Sequence, residues 1–250
     1  MKATMIRFGN FIFRWRDTIF TLIILAAFGM MIFTDLRGIG DFRIDMALNI
    51  IGVVVLFSGQ LVRIITIGYA YIKRGGLKKQ IYAETVVRRG VFAHSRNPMY
   101  LGNLLIVTGA IIVFNILYYY PVLIFFYFIY ASIIIAEEQF LRGKFGADYE
   151  DYLKSVPRLW PAHLSKWPES KADMTFTWKR VLKKEHGSFA LITAGVLTYT
   201  AIKLHYRYGV AWNSETLIPF WIGLVLIAIF HIVCEILKRT SRLEWDPDRP

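Results

Sequence analysis

Glu137 and Glu138 stand side by side at the end of a run that is otherwise apolar and aromatic, and upstream Arg96-Asn-Pro-Met-Tyr-Leu-Gly102 opens another such run. Neighbouring helical residues point about 100° apart. The two acids are therefore expected to divide, one toward a ligand and the other toward basic groups, unless both simply mark the water interface. Ionisable groups near membrane depth are often functional. Asn97-Pro98 reads as a helix start, with Asn a preferred cap and Pro suited to the first helical position. The residue before a proline is also turned away from helical angles. Arg96 lies just outside this positive helix end, which makes an anion site fit for the carboxylate of an amino-acid-like ligand. Tyr100 falls in the first turn. Gly102 admits either a ligand or a neighbouring helix close to the backbone, and Gly109, one heptad later, reads as a helix-packing glycine.

The elements that must carry these residues are apolar helices. The chain has 250 residues, 56% of them hydrophobic, with a mean hydropathy of +0.43. A spanning helix needs roughly 20 apolar residues, and there are six candidate runs, the first of them short: Thr18–Phe33, Ile44–Val62, Pro98–Leu117, Tyr119–Ala136, Ser188–Leu204 and Leu217–Leu237. The expected class is all-α and polytopic, with about six transmembrane helices. Downstream of the acids, Phe145, Tyr149, Tyr152 and Val156 share one face of a short helix that reads as interfacial, either a plain anchor or a lid packed over a site. Pro161–Ala172 reads as a linker. The expected division is 1–89 for a first transmembrane pair with its basic loop, 90–161 for the chemical core, and 162–250 for the linker and last pair.

A net charge of +12 would suit a nucleic-acid ligand, but its distribution argues against one. Of the 30 basic residues, 25 fall in the N-terminal arm, two alternate connections and the tail. That is the positive-inside pattern, and it places both termini and the long connections in the cytoplasm, touching membrane lipids. With one cysteine, Cys234, an internal disulfide is excluded, and the five histidines show no metal spacing. No cleavable signal is expected in the first apolar run. Gly38-x-Gly40 lacks the strand and helix context of a phosphate-binding turn.

Taken in order, Arg96-Asn-Pro-Met-Tyr-Leu-Gly102, Glu137-Glu138 and Phe145-Gly-x-x-Tyr-x-x-Tyr-x-x-x-Val-Pro-Arg158 resemble the integral-membrane methyltransferases. These are the isoprenylcysteine carboxyl methyltransferases, their bacterial relatives and the phospholipid methyltransferases. The resemblance covers about Gly90 to Pro161. It implies S-adenosylmethionine as cofactor, a lipid-like or hydrophobic small-molecule acceptor, and a site at the cytoplasmic membrane face. Carried over, Arg96, Asn97, Pro98, Tyr100, Leu101 and Gly102 would line the cofactor's amino-acid end, Tyr149 and Tyr152 would enclose it, and Glu137 or Glu138 would act in catalysis. Two positions depart from the pattern. Asn97 stands where the family usually has His, so no proton carrier is available there. Ser132 falls near the position of an Arg thought to hold a prenylcysteine carboxylate, which shifts the expected acceptor toward an amine, a thiol or another headgroup.

Arg63, at the inner end of the second run, is expected to reach headgroups or to supply that absent cation, and His231 with Glu235 is expected to form a polar pair. His94 stands close to the expected site. The alternatives are an NADPH-dependent membrane reductase of the sterol-reductase kind and a non-enzymatic lipid carrier. The reductase reading is opposed by Asn103, where such proteins tend to carry an acid. The topology has a direct test: in cells, a Ser170→Cys variant should be labelled only from the cytoplasm and an Asp41→Cys variant from outside. Labelling of position 170 from outside would overturn it.

Overall fold

The computed structural model describes residues 2–33, 38–69, 83, 85–172 and 174–244. Arg37, Lys73, Arg74, Lys78, Lys79 and Arg249, all counted in the charge pattern, lie outside the described residues. Among those described there is no strand. The α-helices are α1 (Lys2–Phe33), α2 (Phe42–Tyr69), α3 (Pro98–Phe114), α4 (Tyr119–Phe145), α5 (Ala147–Ser155), α6 (Trp167–Ser170), α7 (Trp178–Tyr208) and α8 (Ile218–Arg239). Four helical stretches, Phe42–Tyr69, Tyr119–Phe145, Trp178–Tyr208 and Glu215–Arg239, are long and apolar enough to cross a membrane, and Pro98–Phe114 is a shorter apolar helix. The chain is an all-α, polytopic integral membrane protein.

Several boundaries differ from the sequence expectation. The N-terminal arm is helical from Lys2. α4 runs past Glu137 and Glu138 to Phe145, carrying Gly143 within it, and ends at Gly146, which adopts φ 53°. Pro161–Ala172 is not a plain linker, since it holds a 3-10 turn at Leu164–Lys166 followed by α6.

Two compact units emerge. The first comprises residues 1–35, 72–101 and 120–172, and the second 36–71, 102–119 and 173–250, so α3 contributes its first four residues to one and the remainder to the other. In the first unit α1 lies against α4. A Cβ on Gly9 would meet the Ser132 carbonyl oxygen at 2.1 Å, and the Phe20 and Tyr130 rings stack at 5.7 Å. Ser132 is fully buried, its hydroxyl donating to Phe128 O.

In the second unit α2 meets α3 backbone to backbone. A Cβ on Gly52 would lie 2.7 Å from Gly109 O, and one on Gly102 2.8 Å from Gly59 O. Two glycines one heptad apart on each helix thus face each other in antiparallel order, the close approach small residues permit in membranes.

Two buried ion pairs also tie α2 to α7. Near one end Lys203 Nζ lies 3.1 Å from Asp45, each 1% exposed, and donates to Asn49 Oδ1 and Val113 O. Asp45 further accepts from Asn115 (2.7 Å) and Tyr208 (2.9 Å). Near the other end Arg63 donates to both oxygens of Glu185, at 2.8 and 3.0 Å, and to Asn103 Oδ1. Positions 45 and 63, like 185 and 203, are eighteen apart, about 27 Å of helix at 1.5 Å per residue. That nearly matches the roughly 30 Å thickness of the hydrocarbon. Each pair therefore sits near one end of the apolar length, with the acid on α2 at one end and on α7 at the other.

Arg63 is thus neither a headgroup anchor nor a spare cation, because Glu185 neutralises it. Likewise Glu235 pairs with His186 (2.9 Å) instead of His231, whose ring stacks on His186 at 5.2 Å. Both ring nitrogens of His186 face acceptors, Leu182 O and Glu235.

Removing one partner of a buried pair typically costs about 3–5 kcal/mol. Arg63→Glu should therefore sharply lower the melting temperature in detergent, and adding Glu185→Arg should restore much of the loss. No rescue in the double variant would contradict the pairing.

Candidate active site

The site grows from the clasp that precedes α3. Residues 94–97 run beside 157–162 in the first unit. Arg96 N donates to Pro157 O (3.0 Å), Ala162 N to His94 O (3.0 Å), Ser95 Oγ to Leu159 O (2.7 Å) and Asn97 Nδ2 to Arg158 O (3.0 Å). Asn97 was expected to cap α3 with its side chain. Instead its carbonyl takes the first intrahelical bond, from Leu101 N at 3.0 Å, while its amide reaches across to Arg158. The first-turn N–H groups of α3 have no intrahelical acceptor. Pro98 is buried at the helix start and Leu101 is 4% exposed.

The two glutamates divide their partners. Glu138, 2% exposed, accepts from Arg158 through both oxygens (3.0 and 2.7 Å) and lies 3.2 Å from Arg96. A buried carboxylate so bonded is fixed and charge-compensated. Glu137 accepts from the Tyr100 hydroxyl (2.9 Å) through one oxygen; its other oxygen takes no hydrogen bond among the described residues. Arg16 of α1 bears electrostatically on both Tyr100 and Glu137, and the Tyr130 ring meets Tyr100 edge-on at 5.5 Å. Arg96 also donates through one terminal nitrogen to Leu153 O (3.1 Å), but its buried Nε has no acceptor. An orphaned donor beside a compensated carboxylate is a place for an anionic oxygen.

α5 turns its aromatic face inward. Tyr149, Tyr152 and Val156 are buried together against Val86, Leu141, Phe145 and Leu153, so the helix is packed onto the protein and is not a plain anchor. The Tyr152 hydroxyl donates to Phe92 O at 2.7 Å. Burial, with the Glu138 charge beside it, holds the Tyr149 hydroxyl well above its ordinary range, and burial does the same for Tyr152. Both remain neutral phenols near pH 7.

Arg96, Tyr100, Glu137, Glu138 and Tyr149 are therefore gathered in the first unit. Gly102, placed among the cofactor contacts from sequence, has the space beside its α-carbon filled by Gly59 O and the Arg63 side chain. It serves helix packing. Sequence reasoning did not single out Arg158 or Arg16. Arg158 closes the Val-Pro-Arg block, and a basic residue immediately after a proline turn was the available signal. Among the described residues no cluster of His, Cys, Asp and Glu suits a metal ion.

A membrane chain, helical throughout the described residues, that carries a buried glutamate held between two arginines at the start of a helix narrows the class to membrane proteins with a polar site walled by helix ends. Comparison with known families bears on a part of the chain. A family model described as phospholipid methyltransferase matches residues 48–148, a stretch that includes Arg96–Gly102, Glu137 and Glu138. The match is consistent with the resemblance to the integral-membrane methyltransferases over that stretch. No curated protein and no solved structure matches the chain.

Proposed function

We propose that the chain moves a methyl group from S-adenosylmethionine to a lipid-like acceptor at the cytoplasmic membrane face, with six spans and both termini in the cytoplasm. The observation that carries this reading is the orphaned Arg96 Nε beside the open start of α3, next to Glu137 with one uncommitted oxygen, within a stretch matched to methyltransferases. On this reading residues 90–161, a helical hairpin with its interfacial helix, hold the chemistry, and the flanking segments hold the other four spans.

The donor set fits the cofactor. Arg96 and the first-turn amides of α3 would receive its carboxylate, Asn97, Pro98 and Leu101 would shape that end, and Tyr149 and Tyr152 would wall it from water. When bound, S-adenosylmethionine supplies a methyl group already activated on a sulfonium, so the protein's work is alignment and desolvation. Tyr100 holds Glu137 in place by its hydrogen bond, and the free oxygen of Glu137 takes the proton from an acceptor amine or thiol. Glu138, gripped by Arg96 and Arg158, keeps Arg96 oriented.

Ser132 donates to a backbone carbonyl, and Arg63 is neutralised by Glu185. Neither offers a cation to a carboxylate substrate, and a buried unpaired carboxylate is costly. The acceptor on this reading is an uncharged or cationic headgroup, not a prenylcysteine.

Ligands that bind only the folded state raise its melting temperature. Titration of the purified chain with S-adenosylhomocysteine should give saturable heat and a raised melting temperature, and NADPH should give neither. Binding of NADPH without S-adenosylhomocysteine would favour the reductase reading and overturn this one.

A further inference from the structure

Along α5 lies an open groove of about 520 Å³ whose lining includes none of Arg96, Tyr100, Glu137 or Glu138. Its polar lining comes from three segments of the first unit: Arg88 and His94 before α3, Ser155 at the end of α5, and His163, Lys166 and Ser170 around α6. Tyr152 and Val156 also line it, and both are clustered with the buried Tyr149.

The lining is predominantly basic. Asp151, the one acid on the groove, is 3.3 Å from Lys154 and so is locally compensated. Arg88 donates to the Asp148 carbonyl, an acceptor that carries no charge to offset it. Lys166 and the imidazoles of His94 and His163 complete the basic set.

His94 is the buried member, 2% exposed. Its Nδ1 lies 2.8 Å from Ala162 O. A carbonyl only accepts, so Nδ1 carries a hydrogen. Nε2 is buried without any partner. A buried polar atom left unmet inside a built site calls for a ligand atom. A phosphate meets Nε2 in either protonation state, through a P–OH donor or through an ionised oxygen.

The segment that brings His163, Lys166 and Ser170 to the groove also carries Trp160, 68% exposed, and Leu164, 62% exposed. In a membrane protein, exposed Trp and Leu beside basic residues mark the headgroup layer, where lipid phosphates lie.

We propose that this groove seats a phosphate mono- or diester at the membrane surface, held by Arg88, Lys166 and the His94 Nε2, separately from the Glu137–Glu138 site. The shared chemistry is the phosphate group, and its source is a lipid headgroup or a soluble phosphate.

The test uses the full chain in detergent with three probes: dioctanoyl phosphatidic acid, inorganic phosphate and uncharged dioctanoylglycerol. Affinity is read by thermal shift and by adduct counting in native mass spectrometry. Lys166→Gln removes an exposed charge, and His94→Asn keeps a donor for Ala162 O while losing Nε2. Lys179→Gln, outside the groove, is the control. Phosphatidic acid should stabilise the wild type, dioctanoylglycerol should not, and each groove variant should bind at least tenfold more weakly than the control. Inorganic phosphate behaving in the same way would assign a soluble source; stabilisation by phosphatidic acid alone would assign a headgroup. Equal binding by groove and control variants would overturn the proposal, as would loss of phosphate binding on saturation with S-adenosylhomocysteine.

Discussion

Charge that enters an apolar helical protein must be matched where it lies, and this requirement shapes both units. A lone ionised group in a low-dielectric interior costs several kcal/mol. Asp45 with Lys203 and Arg63 with Glu185 meet the requirement near the two ends of α2 and α7. Because the spacing is eighteen residues on both helices, a shift of one helix along the other would strand charges at both ends at once. The glycine contacts of α2 with α3 then bring backbones close enough for Arg63 to reach Asn103. Register, helix spacing and polarity are thus set by a few polar residues, not by the uniformly greasy surfaces around them.

The same constraint divides the adjacent acids of α4. Glu138 is matched twice, by Arg96 and Arg158, and becomes part of the scaffold. Glu137 meets a single neutral hydroxyl, that of Tyr100, and keeps an oxygen for other use. Two residues of one type, one position apart, acquire different chemical capacities because a helix points them in different directions.

The helices and both chemical blocks were legible in the sequence because their signals are local. Asn97-Pro98 marks the start of α3, the apolar runs mark the long helices, and the split of Glu137 from Glu138 follows from helical geometry. What escaped was the pairing of residues distant in the chain. Glu185 lies 122 positions from Arg63, and nothing near Arg63 in sequence indicates that its charge is already matched. His186 took Glu235 from the nearer His231 for the same reason: a neighbour one turn away on α8 points along its own helix, whereas α7 packs directly against it. The end of α4 was placed at the acids because charge usually marks the interface, yet helical residues continue to Gly146 and carry Arg142 to a bond with Glu150. The aromatic face of α5 was visible as a stripe, but only its packing against Leu141 and Val86 shows that it faces protein.

The central claim is that Glu137, not Glu138, serves the acceptor during methyl transfer. It is tested most directly by transfer of a labelled methyl group from S-adenosylmethionine into a membrane lipid extract by wild type and by Glu137→Gln. Loss of a general base costs roughly 10²–10⁴-fold in rate. The account predicts labelled lipid with wild type, and with Glu137→Gln a rate lower by about that factor while the melting temperature and S-adenosylhomocysteine binding are retained. Full activity in Glu137→Gln, or no labelled lipid with wild type, would contradict it.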